Sequence, residues 1–334
     1  MPAILPTLIL LLLAAAAIYA ACELFVNGIE WVGHRLDFAQ KATGTILAAF
    51  GTALPESVVT FVAVALGDSA AQKDIGIGAA LGGPLVLGTV AYAVVGWALL
   101  LRGRGLRDGG RLDVDYGHLS HDQGWFLVIF VAKLILGVMA FALKPWLGAA
   151  FLLAYAAYFR KETRSRRDAA EAAPAPLRFS PHRPVPSLAL ASLQSLVALA
   201  VIFGASRVFV AQLGALGPWL GMPPQLVALL LSPIATELPE ILNAVIWIRQ
   251  GKTRLALANI SGAMMIQATV PTAFGLVFTP WLLERGLIWA GLVTLASVLA
   301  LYALFRRGAI TRAMLSLFAL FYLAFAGVLF AVLR

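Results

Sequence analysis

Long apolar runs separated by short polar punctuation dominate the chain. Ten segments are apolar over lengths that suit membrane crossing. They run approximately Leu5–Val32, Thr43–Leu66, Ile75–Leu101, Trp125–Leu143, Trp146–Phe159, Leu188–Leu213, Pro224–Ile248, Leu255–Phe278, Leu287–Phe305 and Ala313–Leu333. Apolar stretches of about 18 residues or more mark spanning helices, because only a structure that pairs its own peptide groups survives in lipid. The fifth segment has only 14 residues, so either its limits are wider or it packs at an angle. The pattern predicts an all-α polytopic membrane protein. Met1 to Ala20 is apolar but lacks a basic n-region, so it reads as the first span rather than a cleaved signal.

Composition agrees with the pattern. Of 334 residues, 61% are hydrophobic and 12% are charged, where a soluble domain carries about 25% charged residues. The net charge of +9 would suggest nucleic acid in a soluble protein, but here the charges sit between the apolar segments. Of 25 Lys and Arg residues, 19 fall in the first, third, fifth, seventh and ninth loops. The remaining loops and the termini hold Lys73, Lys144, Arg285 and Arg334, and Lys133 and Arg207 fall inside spans. By the positive-inside rule the odd loops are cytoplasmic and both termini lie outside. The single cysteine, Cys22, excludes a disulfide framework and a paired-cysteine metal site. No GxxxxGK[ST] loop is present, which argues against drive by ATP.

The fifth loop, "RKETRSRRDAAEAAPAPLRFSPHRPVPS", divides the chain. Residues 1–159 form a first half of five spans, 160–187 a cytoplasmic linker expected to be flexible or partly extended, and 188–334 a second half of five spans. The halves repeat one another. At an offset of 184 residues "GTALPE", Gly51 to Glu56, falls on "ATELPE", Ala235 to Glu240. Further on, at an offset of 180, "GIGAALGG" from Gly76 falls on "ALANISGA" from Ala256. The repeated region covers 48–87 in the first half and 232–267 in the second. Five is an odd number, so the two copies enter the membrane from opposite sides. The expectation is ten transmembrane helices as two inverted five-helix repeats, with a site at mid-membrane where interrupted helices meet.

The repeated motif supplies the candidate chemistry. A carboxylate at the bilayer centre costs roughly 2.5–3.5 kcal/mol even on the lenient insertion scale, and this chain carries Glu56, Glu237 and Glu240. Capping a helix beside proline returns about 1 kcal/mol, which is less than that cost. Pro55 and Pro239 each lack an N–H and free a carbonyl one turn back, so both motifs are expected to interrupt their helices. Thr52 and Glu56, like Thr236 and Glu240, share a helical face. Carboxylates, hydroxyls and freed carbonyls are hard oxygen ligands that suit Ca²⁺ better than a transition metal. Glu56, Glu240 and Glu237 are the candidate metal ligands. Thr52 and Thr236 either join them or bond back to their own helices. Gln267 is either a ligand or an interhelical hydrogen-bond partner. For Glu237 the competing reading is a pair with a basic residue, and neither Lys133 nor Arg207 can be placed near it from sequence. Glu23 and Arg207 occupy matching places in the two halves. Trp146, Trp219 and Trp281, near span ends, read as interface anchors.

These residues resemble the cation/Ca²⁺ exchanger superfamily, the sodium/calcium exchanger-like antiporters. That family carries two inverted copies of a G-T-S-x-P-E element followed by G-N-x-x-G-S-N-x-x-N. The resemblance implies that Glu56 and Glu240 are the central acidic pair and that Thr52 and Thr236 match ion-holding threonines. It implies that Asn259 keeps the first Asn of the later element and that Gln267 stands where an Asn or Asp ligand is usual. The chain also departs from the pattern. Ala53 and Glu237 replace the Ser of G-T-S, Gly83 and Ala263 replace the Ser of G-S-N, and Leu87 replaces the last Asn of the first copy. The first copy has lost polar ligands and the second has gained a carboxylate.

The resemblance implies a secondary active antiporter, not an enzyme, exchanging Ca²⁺ for Na⁺ or H⁺ by alternating access. Three close carboxylates favour a bound proton when no cation is present, which makes H⁺ a serious competitor to Na⁺. The alternatives are Na⁺/H⁺ or other cation/H⁺ exchange, or a degenerate member that binds cations without transporting them. An intramembrane acid–base enzyme is chemically possible with paired carboxylates, but no second catalytic signature accompanies them. The expected partners are inorganic cations and membrane lipids, with no nucleic acid and no cofactor. The expected location is a prokaryotic plasma membrane.

Overall fold

A computed structural model describes residues 4–36, 44–102, 111–165 and 174–333; the side chains of 44–52, 162–165 and 332–333 lie outside that description. Every element among the described residues is helical, apart from an isolated bridge between Arg111 and Thr311. The helices are α1 (Ile4–Arg35), α2 (Gly44–Ala65), α3 (Ala70–Val86), α4 (Tyr92–Arg102), α5 (Tyr116–Val138), α6 (Leu147–Ser165), α7 (Leu188–Leu220), α8 (Pro224–Thr236), α9 (Leu238–Arg249), α10 (Thr253–Phe278), α11 (Arg285–Arg306), α12 (Arg312–Ser316) and α13 (Ala319–Leu333). A π-helical turn, Leu87–Ala91, joins α3 to α4, and a 3-10 turn, Lys144–Trp146, precedes α6. Side-chain caps fix several starts. Ser69 accepts from the Gln72 amide, Asp115 from His118 and Ser187 from Leu190. Gly221, at φ 63°, ends α7 in the left-handed conformation that suits glycine.

Seven helices are long and apolar enough to cross a membrane, or eight when α8 and α9, bent by 41° at their junction, count as one. Two of the ten expected segments fall outside that set among the described residues. In α2 the apolar stretch 53–65 is short. In α6 the end of the helix, from Arg160 to Ser165, is polar, so its apolar part is as short as the fifth segment in the sequence.

Helix α10 is the most buried of the long helices and lies at the centre. It packs on α2, α5, α6 and α9, while α3 packs on α8. The α3–α8 contact is close because Gly82 has no side chain. A β-carbon there would stand 2.6 Å from the Leu229 carbonyl oxygen and 2.8 Å from Cγ of Pro233. A buried polar knot ties α10 to α4 and α5, with Tyr92 Oη 3.0 Å from Ser261 Oγ and Gln123 Nε2 donating to both. Helices α1 and α7 run along each other at the flank and expose much of their outer surface.

Of the linker, expected to be flexible or partly extended, residues 174–187 are described and are not helical. Residues 174–187 are tied to the ends of α1 and α7. Asn27 Nδ2 donates to the Ala175 carbonyl at 3.1 Å, and Trp31 Nε1 donates to the same oxygen at 2.8 Å. The Arg178 amide donates to Asn27 Oδ1 and the Phe179 amide to Gln194 Oε1. Leu177 is fully buried against Trp31 and Ala191. The segment closes two turns of its own, with the Ser180 amide donating to Leu177 O at 2.9 Å and the Arg183 amide to Ser180 O at 3.2 Å, and polar side chains of α1 and α7 supply further partners.

Losing such bonds costs about 1–3 kcal/mol, so Asn27→Ala is expected to speed tryptic cleavage after Arg178 by roughly tenfold or more. The melting temperature of the helical body should change little. Mass spectrometry of timed digests measures the first and circular dichroism the second.

Candidate functional site

Glu56 of one half and Glu237 of the other approach each other, but among the described residues the three motif carboxyls do not close into a group that could hold a metal ion as they stand. Glu56, near the middle of α2, is 1% exposed, and Glu237 and Glu240 are fully buried. No N–H or O–H among the described residues donates to either oxygen of Glu56. What meets it is the carboxyl group of Glu237, within hydrogen-bonding reach, with Glu240 inside electrostatic range. One half of the chain supplies Glu56, and the other supplies both partners.

Helix geometry explains why Glu237 can turn inward. Pro233 and Pro239 remove the N–H groups that would bond the Leu229 and Ala235 carbonyls. The helix therefore breaks between them, with Glu237 at the bend (φ −99°, ψ −12°). The first copy behaves differently from expectation. Pro55 is a single lesion, and α2 continues through it unbroken from Gly44 to Ala65. Only the second motif is an interruption.

Two side chains orient Glu237. Thr236 Oγ1 donates to its Oε1 at 2.8 Å, and Gln267 Nε2 donates to its Oε2 at 2.7 Å. Thr236 Oγ1 also lies 3.3 Å from the Ser232 carbonyl, so its single O–H has two acceptors in reach, of which the Glu237 oxygen is the nearer. Gln267 keeps its Oε1 without a donor among the described residues. The Thr52 side chain lies outside the described residues. Gly83 explains one departure from the family pattern. A β-carbon at this position would overlap the Glu56 carboxyl and would stand 2.8 Å from Gln267 Oε1. Serine has been replaced by nothing, which makes room for the crowded carboxyls.

Asn259 is buried, and both polar atoms of its amide lack a hydrogen-bond partner among the described residues. Lys133 could not be placed from sequence. It is fully buried, and its Nζ donates to the Ala80 carbonyl at 2.6 Å within electrostatic reach of Glu56. Trp281 is not an interface anchor like the exposed Trp146 and Trp219. It is fully buried and donates from Nε1 to the Lys133 carbonyl at 3.2 Å. The doubled motif could not find Lys133, which lies on α5 outside both copies. Glu23 is exposed on α1 and Arg207 on α7.

Two carboxylates in contact away from water repel strongly, so either a proton lies between them or a cation neutralises them. The arrangement can therefore hold protons in one state and a hard cation in another.

A chain of this architecture, with carboxyls from two halves meeting inside a helical bundle, has the character of an ion-exchanging membrane protein. The sequence model for the family described as Sodium/calcium exchanger protein matches residues 6–160 and 190–331, and the chain belongs to that family. It is 31% identical over 159 residues to an uncharacterized membrane protein of Methanocaldococcus jannaschii, covering 46% of this chain and 44% of that one. The match thus spans less than half of that relative's length. CaxA of Alkalimonas amylolytica, a protein named as an antiporter, is 23% identical over 268 residues, covering 79% of this chain and 78% of CaxA. The crystal structure of the H⁺/Ca²⁺ exchanger CAX superposes with a TM-score of 0.68 at 17% identity, covering 97% of this chain and 88% of CAX. The sodium–calcium exchanger NCX_Mj superposes with a TM-score of 0.63 at 18% identity, covering 99% of this chain and 100% of that one. The fold is shared with both.

Adding a methyl group beside Glu56 tests the packing directly. Overfilling a tight interior costs about 1–3 kcal/mol, so Gly83→Ala is expected to lower the melting temperature of the purified protein, as read by differential scanning fluorimetry. An unchanged melt would mean that the carboxyl does not rest on Gly83.

Proposed function

We propose that the protein is a secondary active cation antiporter that exchanges Ca²⁺ for H⁺. Glu56, Glu237 and Glu240 form the shared site, and Gln267 and Thr236 hold it in shape. The observation that carries this reading is the meeting of the Glu56 and Glu237 carboxyl groups. A proton bridges them when the site is free of metal. A divalent cation displaces the proton, pulls the oxygens apart and takes them as ligands. Ca²⁺ accepts six to eight oxygens in flexible geometry, and the freed Ala235 carbonyl, Asn259 and Gln267 Oε1 are available to complete the shell. Competition between metal and proton for one set of oxygens is what couples their movements.

The chain is organised as ten spans in two inverted halves of five. The reciprocal packing of α3 on α8 and of α10 on α2 supports this arrangement, since inversion exchanges one contact for the other. The odd loops, rich in Lys and Arg, face the cytoplasm, and both termini lie outside a plasma membrane of prokaryotic type. Access alternates as the flanking pair α1 and α7 shifts against the core that carries the carboxyls.

Flux in proteoliposomes tests the proposal. ⁴⁵Ca²⁺ uptake is expected to follow an imposed proton gradient, to fall as the pH on the Ca²⁺ side is lowered, and to be lost in Glu240→Gln. Glu237→Gln keeps the size of the side chain but removes its charge and leaves one accepting oxygen where there were two. It is expected to flatten the pH dependence while leaving measurable Ca²⁺ binding. Uptake that follows only a Na⁺ gradient would replace H⁺ by Na⁺ as the counter-ion. Binding without gradient-driven flux would mark a non-transporting member.

A further inference from the structure

Lys133 sits where two broken helical ladders face each other. Pro84 lies within α3 and cannot donate to the Ala80 carbonyl four residues back; Pro271 lies within α10 and cannot donate to the Gln267 carbonyl. The Lys133 nitrogen reaches both freed oxygens. It donates to Ala80 O at 2.6 Å and lies 3.5 Å from Gln267 O, where charge rather than hydrogen-bond geometry supplies the attraction. Aromatic faces close the remaining sides, with the Phe130 ring centre 5.4 Å and the Trp281 ring centre 5.8 Å from Nζ. Trp281 is held in that position by force of local contacts. Its backbone is left-handed at φ 49°, its amide donates to Thr279 Oγ1 at 3.0 Å, and Lys144 Nζ donates to its carbonyl at 2.9 Å. A pair of backbone carbonyls from two halves, walled by aromatic rings, is the chemistry of a monovalent-cation cradle. In this chain a tethered ammonium fills it.

The charge count gives the ammonium a purpose. Glu237 adds a third carboxylate to Glu56 and Glu240, and Lys133 lies within electrostatic reach of Glu56. Three carboxylates and one ammonium leave two negative charges, the complement of one divalent cation or of two protons. We propose that Lys133 is a built-in cation of the exchange site. It occupies the Ala80–Gln267 cradle in place of a mobile monovalent cation and balances the carboxylate that Glu237 adds. This rests on the antiport reading above for its purpose, though the cradle stands on its own geometry. One consequence is that the site is neutral when it holds one Ca²⁺ or two H⁺, where without the ammonium it would keep one negative charge.

The test empties the cradle. The full-length protein is purified as wild type, Lys133→Ala and Lys133→Arg, and melted in methylammonium or in the bulky N-methylglucamine cation. Methylammonium is expected to raise the melting temperature of Lys133→Ala by about 4 °C or more and to leave wild type and Lys133→Arg unmoved. A Lys133→Ala melt that ignores methylammonium would overturn the cradle. Equilibrium ⁴⁵Ca²⁺ binding then tests the charge balance. Without a small cation, Lys133→Ala is expected to bind Ca²⁺ about tenfold differently from wild type, and methylammonium to restore the wild-type affinity. Affinity equal to wild type in N-methylglucamine would contradict the balance. A merely structural lysine would not be replaced by a free ammonium. If Lys133→Ala does not fold, the double variant with Glu237→Gln removes the unbalanced carboxylate and is expected to regain a cooperative melt; failure to regain it overturns the proposal. Wild type that binds no Ca²⁺ would defeat the antiport reading, while the methylammonium melt still decides the cradle.

Discussion

Burying carboxyl groups against one another is the constraint around which this molecule is arranged. Glu56 and Glu237 meet where no water-facing surface relieves them, with Glu240 close by. Such a cluster persists only if something positive shares it, and a membrane interior raises the penalty for leaving it unshared. Gly83 clears the space, Gln267 and Thr236 fix one carboxyl, and a bend at Glu237 aims it inward. Each of these features would be a defect in an ordinary helix pair. Together they bring buried carboxyls from both halves of the chain into one place.

Proline is the second recurring device. Pro233 and Pro239 open α8–α9 and let the chain bend, while Pro84 and Pro271 leave their helices continuous and release single carbonyls. The difference follows from spacing. Two lesions six residues apart leave too little ladder between them to hold the helix straight, whereas one lesion in a long buried helix is tolerated. The same chemistry thus yields a hinge in one place and a ligand-like oxygen in another.

The helical character and the family were legible before any coordinates, because apolar length and a doubled motif are one-dimensional signals. The burial of Glu56, Glu237 and Glu240 was expected from their place in apolar segments, whereas the approach of Glu56 to Glu237 was not singled out, since Glu237 is the position at which the second motif departs from the first. Other features were not legible. That α2 would survive Pro55 depends on the packing around it, which no local pattern encodes. Lys133 lies on α5, outside both motifs, and only the three-dimensional crossing of α3 and α10 brings the freed carbonyls to it. A trace was present nonetheless: an apolar segment carrying a lone lysine needs acceptors. Trp281 sits near the end of a span, as an interface anchor does, but folds inward over Lys133 instead.

A crystal structure of the Ca²⁺-loaded protein, with the ion located by anomalous scattering, measures the central claim most directly. One peak is expected with carboxyl oxygens of both Glu56 and Glu240 at about 2.3–2.6 Å, and with the contact between Glu56 and Glu237 opened. A Ca²⁺ ion bound elsewhere, or carboxyl groups still pressed together at saturating Ca²⁺, would contradict it.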